Sequence, residues 1–252
     1  MTYCLAINMK AGIVFASDSR TNAGVDHIDT YSKMHCFSAA GQHCFVILTA
    51  GNLGVTQAVI HEVNRDLTEE SGEGSLATAR YMFEAARYLG RVSRRVQTEF
   101  SKLNAEETNM EASFIIGGQI AGQPHDIYLV YPEGNYITAS ETNPFLQIGE
   151  LKYGKPILDR VITRDTTLED AARCALVSLD STMRSNVSVG PPIEVAFYRK
   201  DALQLERRIT LDTTSEFYTQ VREHWSKGLK QAFGGLPRFD WESGADRQDA
   251  TS

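Results

Sequence analysis

Thr2 follows Met1, and loss of that methionine would leave the threonine with a free α-amine beside its hydroxyl. An α-amine titrates near pH 8, far closer to neutrality than a lysine. It can therefore serve as general base for its own side chain. A Met-Thr start is common, so the threonine needs company before it means chemistry. Asp18 ends the run GIVFASD, which folds back on the run opened by Thr2 through Met9-Lys10-Ala11. That hairpin places Asp18 near the chain start. Lys33, in TYSKMH, heads the next strand-like run. An ammonium close to Thr2 would lower the proton affinity of hydroxyl and amine, and Asp18 would hold it by a charge-assisted hydrogen bond. The fourth element is TAGN, Thr49 to Asn52, where a strand gives way to a helix. A glycine there lets backbone approach a substrate carbonyl, and the Gly51 N–H can stabilise an oxyanion. Taken singly, these are also a turn-end carboxylate, a solvated amine and a plain strand-to-helix turn.

The elements that must position these groups come in blocks. Strand-like runs at 2–8, 12–18, about 33–38 and 43–50 are followed by helical spacing of Val55, Val59, Ile60, Val63 and Leu67 over about 52–70. Ser71 to Gly74 breaks that helix, and a second is expected from Ser75 or Leu76 to about Leu103. Strands return at 112–120, 126–131 and near 136–139, then helices at about 152–163 and 167–185. Thr167 with Asp170 makes a capping box for the latter. Strands at 193–199 and near 204–209 precede a helix from about Ser215 to Ala232. Strands in blocks with helices in pairs exclude a βαβ chain. They predict an α+β fold of stacked antiparallel sheets covered on both outer sides by helices, a four-layer αββα sandwich. Residues 1–233 form the single expected domain, with 234–252 a polar C-terminal tail.

Composition narrows the function. The chain has 252 residues, a formal net charge of −7, 42% apolar and 23% charged residues. An acidic balance argues against nucleic-acid binding. No apolar run approaches the roughly 20 residues that span a bilayer, and the start has no secretory pattern. Cys4, Cys36, Cys44 and Cys174 lack CxxC spacing and are expected as buried free thiols of a reducing cytosol. His27, His35 and His43 recur every eight residues without a second ligand type, so no metal is expected.

Thr2, ASDSR with a following TNAG, Lys33 and TAGN, in that order, resemble the β-type proteasome subunit family of N-terminal-nucleophile hydrolases. IGELKYGKPILDR, residues 148–160, is similar to that family's glycine turn and following helix. The resemblance covers most of residues 2–200. Length, SLDSTMRSNVSVGPP and the C-terminal extension look most like its ancestral-β-subunit (Anbu) branch. The resemblance implies Thr2 as nucleophile, Asp18 and Lys33 as its electrostatic partners, Gly51 as oxyanion donor and Thr49 as pocket floor. It offers Asp180 and Ser185 as accessory groups, although their spacing exceeds the family's Asp-x-x-Ser and Thr182 stands where that Asp would be. Glu150 replaces an expected serine. The implied activity is peptide-bond hydrolysis through an acyl-enzyme, without cofactor or metal. The implied setting is the cytoplasm, in a homo-oligomer (ring or open spiral) acting on peptides or unfolded proteins, with an ATP-dependent unfoldase as possible partner. Tyr81, Phe83, Tyr88 and Phe100 are expected as contacts between neighbours. The rival readings are a small-molecule amide hydrolase of the same fold and a catalytically silent ring component.

Overall fold

In the computed structural model, residues 2–22, 28–69, 74–103 and 109–243 are described. The first two strands, β1 (Tyr3–Met9) and β2 (Gly12–Asp18), are buried at every position. Both faces are covered because successive side chains alternate between two cores. Leu5, Ile7, Val14 and Ala16 face one layer of helices, whereas Cys4, Ala6, Ile13 and Phe15 face a second sheet.

The first sheet adds β10 (Phe145–Gly149) beside β1, and β11 (Ile193–Arg199) with β12 (Arg207–Leu211) beyond β2. The second runs in sequence order: β5 (Met34–Ala39), β6 (His43–Gly51), β7 (Ala112–Ile120), β8 (Asp126–Val130) and β9 (Tyr136–Thr138). All these pairings are antiparallel. A short pair, β3 (Arg20–Asn22) and β4 (Ile28–Thr30), stands apart.

The helices α1 (Leu53–Thr68) and α2 (Met82–Leu103) cover the second sheet, with Val55, Val59, Leu89 and Val92 meeting Phe45, Ile47, Phe114 and Ile116. On the other side lie α3 (Lys155–Val161), α4 (Leu168–Ser185) and α5 (Glu216–Gly234), of which α4 supplies Ala171, Ala175 and Leu179 to the core. The chain is thus the four-layer αββα sandwich that the block pattern predicts. The capping box is formed as well: the Thr167 hydroxyl accepts from Asp170 N–H at 3.1 Å and donates to its carboxylate at 2.8 Å.

Several expectations are corrected. The second helix starts at Met82 instead of at 75 or 76. Ser75 to Thr78 is a turn closed by the Thr78 hydroxyl, and Glu84 caps the N–H groups of Arg80 and Tyr81. Leu76 imitated helical spacing because it is buried without being helical. The strand β10 was not anticipated, and α3 begins at Lys155 in place of 152. The last strand lies at 207–211, later than 204–209, because Asp201 and Leu203 take left-handed backbone and lengthen the turn. Cys36 is exposed on the edge strand β5, whereas Cys4, Cys44 and Cys174 are buried free thiols. Tyr88 is turned inward with its hydroxyl on Asp66 at 2.7 Å, and Phe100 packs against the helix–sheet core. Tyr81, stacked on Phe83, stays exposed.

Candidate active site

Thr2 stands one residue ahead of β1, and β10 ends beside it. Glu150 N–H donates to the Thr2 carbonyl at 2.8 Å. Gly149 makes this possible: its φ is +87°, and a Cβ there would collide with that carbonyl oxygen. The register of β1 on β2, with Cys4 opposite Ser17, brings Asp18 level with Tyr3, whose N–H donates to the carboxylate at 3.0 Å.

Asp18 has no exposure and Lys33 has 5%. The ammonium donates to Asp18 Oδ1 at 2.7 Å and to the Arg20 carbonyl at 2.7 Å. Gly190 N–H donates to Oδ2 at 3.1 Å. A buried ion pair is tolerable when hydrogen bonds take up its remaining capacity, and these contacts engage both carboxylate oxygens and two of the three ammonium protons. Burial pushes the Asp18 carboxyl up; the Lys33 charge and the N–H groups of Tyr3 and Gly190 pull it back.

Above the pair opens a cavity of about 710 Å³ whose lining includes Thr2, Arg20, Lys33, Thr49, Gly51 and Glu111. Thr49 N–H donates to the Lys33 carbonyl at 3.0 Å, which ties β6 to the lysine's backbone. Gly51, with φ +115°, leaves β6 under the Glu111 backbone, where a side chain would not fit. Asn52 then caps α1 by accepting from Val55 N–H at 3.2 Å. Thr2, Lys33, Thr49 and Gly51 therefore share one cavity, with Asp18 fixed beneath Lys33. A hydroxyl residue that shares a cavity with a held cation and a helix N-terminus is an arrangement suited to nucleophilic attack on a carbonyl.

The other sequence candidates lie elsewhere. Asp180 is buried in α4, with its oxygens taken up by Arg184 at 2.8 Å and Arg222 at 2.6 Å. Thr182 is buried and donates to the Ser178 carbonyl. Ser185 is exposed at the end of α4. None of the three lines the Thr2 cavity. In their place the segment after α4 approaches the site. Gly190 binds Asp18, its carbonyl accepts from the N–H groups of Ser19 and Arg20, and Asn186 donates to Glu150 at 3.1 Å. Sequence reasoning missed this segment and the cavity residues Arg20 and Thr21. The place of Arg20 two residues after Asp18 in ASDSR, and a glycine preceding Pro-Pro, were the available signals.

His43 is buried and stacks on Phe45, His35 is half-buried, and His27 lies outside the described residues. Among the described residues no cluster of three or more His, Cys, Asp or Glu side chains could hold a metal ion, and no helix is long and apolar enough to cross a membrane.

The profile of the family described as Proteasome subunit matches residues 2–198. Among solved structures, Anbu from Pseudomonas aeruginosa, determined as a helical assembly, is 43% identical with a TM-score of 0.89, over 94% of this chain and 98% of that one. The Anbu (Gly-1) mutant from Hyphomicrobium sp. strain MC1 is 42% identical with a TM-score of 0.88, over 95% and 100%. Anbu, the ancestral beta-subunit, from Yersinia bercovieri is 40% identical with a TM-score of 0.88, over 94% and 98%. No curated protein matches.

Proposed function

From the premise that the chain belongs to the proteasome subunit family, as an Anbu-like β-type member, we propose that it is a threonine-type peptidase. The observation that carries this reading is the buried Lys33–Asp18 pair beneath a cavity that Thr2 lines. In the proposed reaction Met1 is removed, and the Thr2 Oγ attacks a peptide carbonyl while its own α-amine takes the proton. The Lys33 charge favours the ionised hydroxyl, Asp18 holds Lys33 in place, and Gly51 N–H receives the oxyanion. The amine then protonates the leaving amine, and water hydrolyses the ester left on Thr2. Asp180 and Ser185 take no part in this scheme.

The working form is a cytoplasmic homo-oligomer that encloses the site, since an open peptidase surface would cut any accessible chain. Unfolded chains and peptides are its substrates, with an ATP-dependent unfoldase as candidate partner for folded ones. The helical assembly recorded for the Pseudomonas aeruginosa protein supports self-association. Treatment with a threonine-directed electrophile, followed by intact-mass and peptide mapping, tests the chemistry. The expected product is a single adduct on Thr2 of chains lacking Met1. Full peptidase turnover with Met1 retained, or in Thr2→Ala, would end the proposal. Sedimentation velocity at micromolar concentration tests the assembly.

A further inference from the structure

The helix α5 is built in two halves. Its apolar positions Phe217, Val221, Trp225, Leu229 and Phe233 recur every four residues, which makes one continuous stripe. The first half is anchored: Tyr218 is buried in the core, Val221 packs against it, and Arg222 binds Asp180. From Lys227 to Phe239 every residue is exposed. Phe233 is 77% exposed, and Phe239 and Trp241, stacked with ring centroids 4.4 Å apart, are 61% and 68% exposed. A helical end solvated all round has no packing to hold it, and adjoining aromatics in water mark a contact surface.

Beside the anchored half lies a groove of about 430 Å³ with Arg184, Arg222, Lys227 and Lys230 in its lining and Glu223 opposing them. Asp180 neutralises part of the two arginines, whereas Lys227 and Lys230 make no ion pair among the described residues. The chain beyond the helix has the opposite character. Residues 236–252 carry Asp240, Glu242, Asp246 and Asp249 against Arg238 and Arg247.

We infer that the aromatic, acidic segment from Leu236 onward docks into the α4–α5 groove of a second copy of this chain. Groove and segment sit on the same chain with complementary charge, so a reciprocal exchange gives a closed dimer and a one-way contact gives an open series. The exposed half of α5 is covered in either case. The inference rests on the self-association proposed above and names the surface responsible.

Sedimentation velocity of three full-length proteins tests it: wild type, Lys227→Glu with Lys230→Glu, and Phe239→Ser with Trp241→Ser. All four sites are exposed, so circular dichroism should match in each. The expected result is an assembled wild type and at least about tenfold weaker association in both variants, by the scale of lost interface anchors. An assembled wild type with unchanged variants would overturn this surface alone. A monomeric wild type would overturn self-association as a whole. Flotation of wild type with lipid vesicles, lost in Phe239→Ser with Trp241→Ser, would assign the segment to a membrane and overturn the inference too.

Discussion

Asp18 and Asp180 are both carboxylates sealed from water, and both are held by cations. Their settings differ in what stands on the far side of the cation. Asp18 holds a single lysine that is itself buried, and that lysine lines the Thr2 cavity. Asp180 holds two arginines whose side chains are 55% and 37% exposed: Arg184 one turn on in α4 itself, and Arg222, which ties α4 to α5. A buried carboxylate facing a buried cation fixes a charge where water cannot screen it. A buried carboxylate facing half-solvated guanidinium groups is a fastener between helices. The same residue type thus serves electrostatics in one region and attachment in the other.

The comparison can be broken by removing each acid in turn. Asp18→Asn should have the largest effect, since it leaves Lys33 buried without its counter-charge. The expected loss is about 3–5 kcal/mol of stability, read by chemical denaturation, together with at least about 10²-fold in turnover. Lys33→Ala should lose a similar factor in turnover and, because it strips buried Asp18 of its counter-charge, a comparable part of the stability; a turnover change within about twofold would detach the lysine from the chemistry. Asp180→Ala should cost about 1–2 kcal/mol, because Arg184 and Arg222 can turn to water. Labelling of Thr2 should survive it, and a silent site in folded Asp180→Ala would show that the two acids are not separate in function. Arg184→Ala should cost under about 1 kcal/mol, since Arg222 remains on the carboxylate.

The first region was legible in the sequence because its geometry is hairpin arithmetic. Counting back from Met9-Lys10-Ala11 puts Asp18 beside the chain start, and the observed register does the same. The layered fold was legible for a related reason: periods of two and of about four residues stay visible when each element has its own core face. The second region was not legible. Arg222 is 42 residues from Asp180, and no local pattern announces that pairing. Asp180 and Ser185 were offered by the family resemblance despite their wide spacing, while Gly190, which does bind Asp18, offers only a backbone N–H. Leu76 and β10 failed in opposite ways. One was buried without being helical, and the other is a five-residue strand ending on a glycine turn that looked like a helix approach.

The shell around Asp18 also sets a schedule. Two of its donors, Tyr3 and Lys33, lie 15 residues away on either side, but Gly190 is 172 residues downstream. A chain leaves the ribosome N-terminus first. During that time the carboxylate lacks its last donor, and the two strands that pair with β1 and β2 from later sequence, β10 and β11, are still missing. The shell around Asp18 therefore cannot be complete until about three-quarters of the chain has been synthesised. On the peptidase reading proposed above, a half-made copy is a harmless neighbour to the other nascent chains around it.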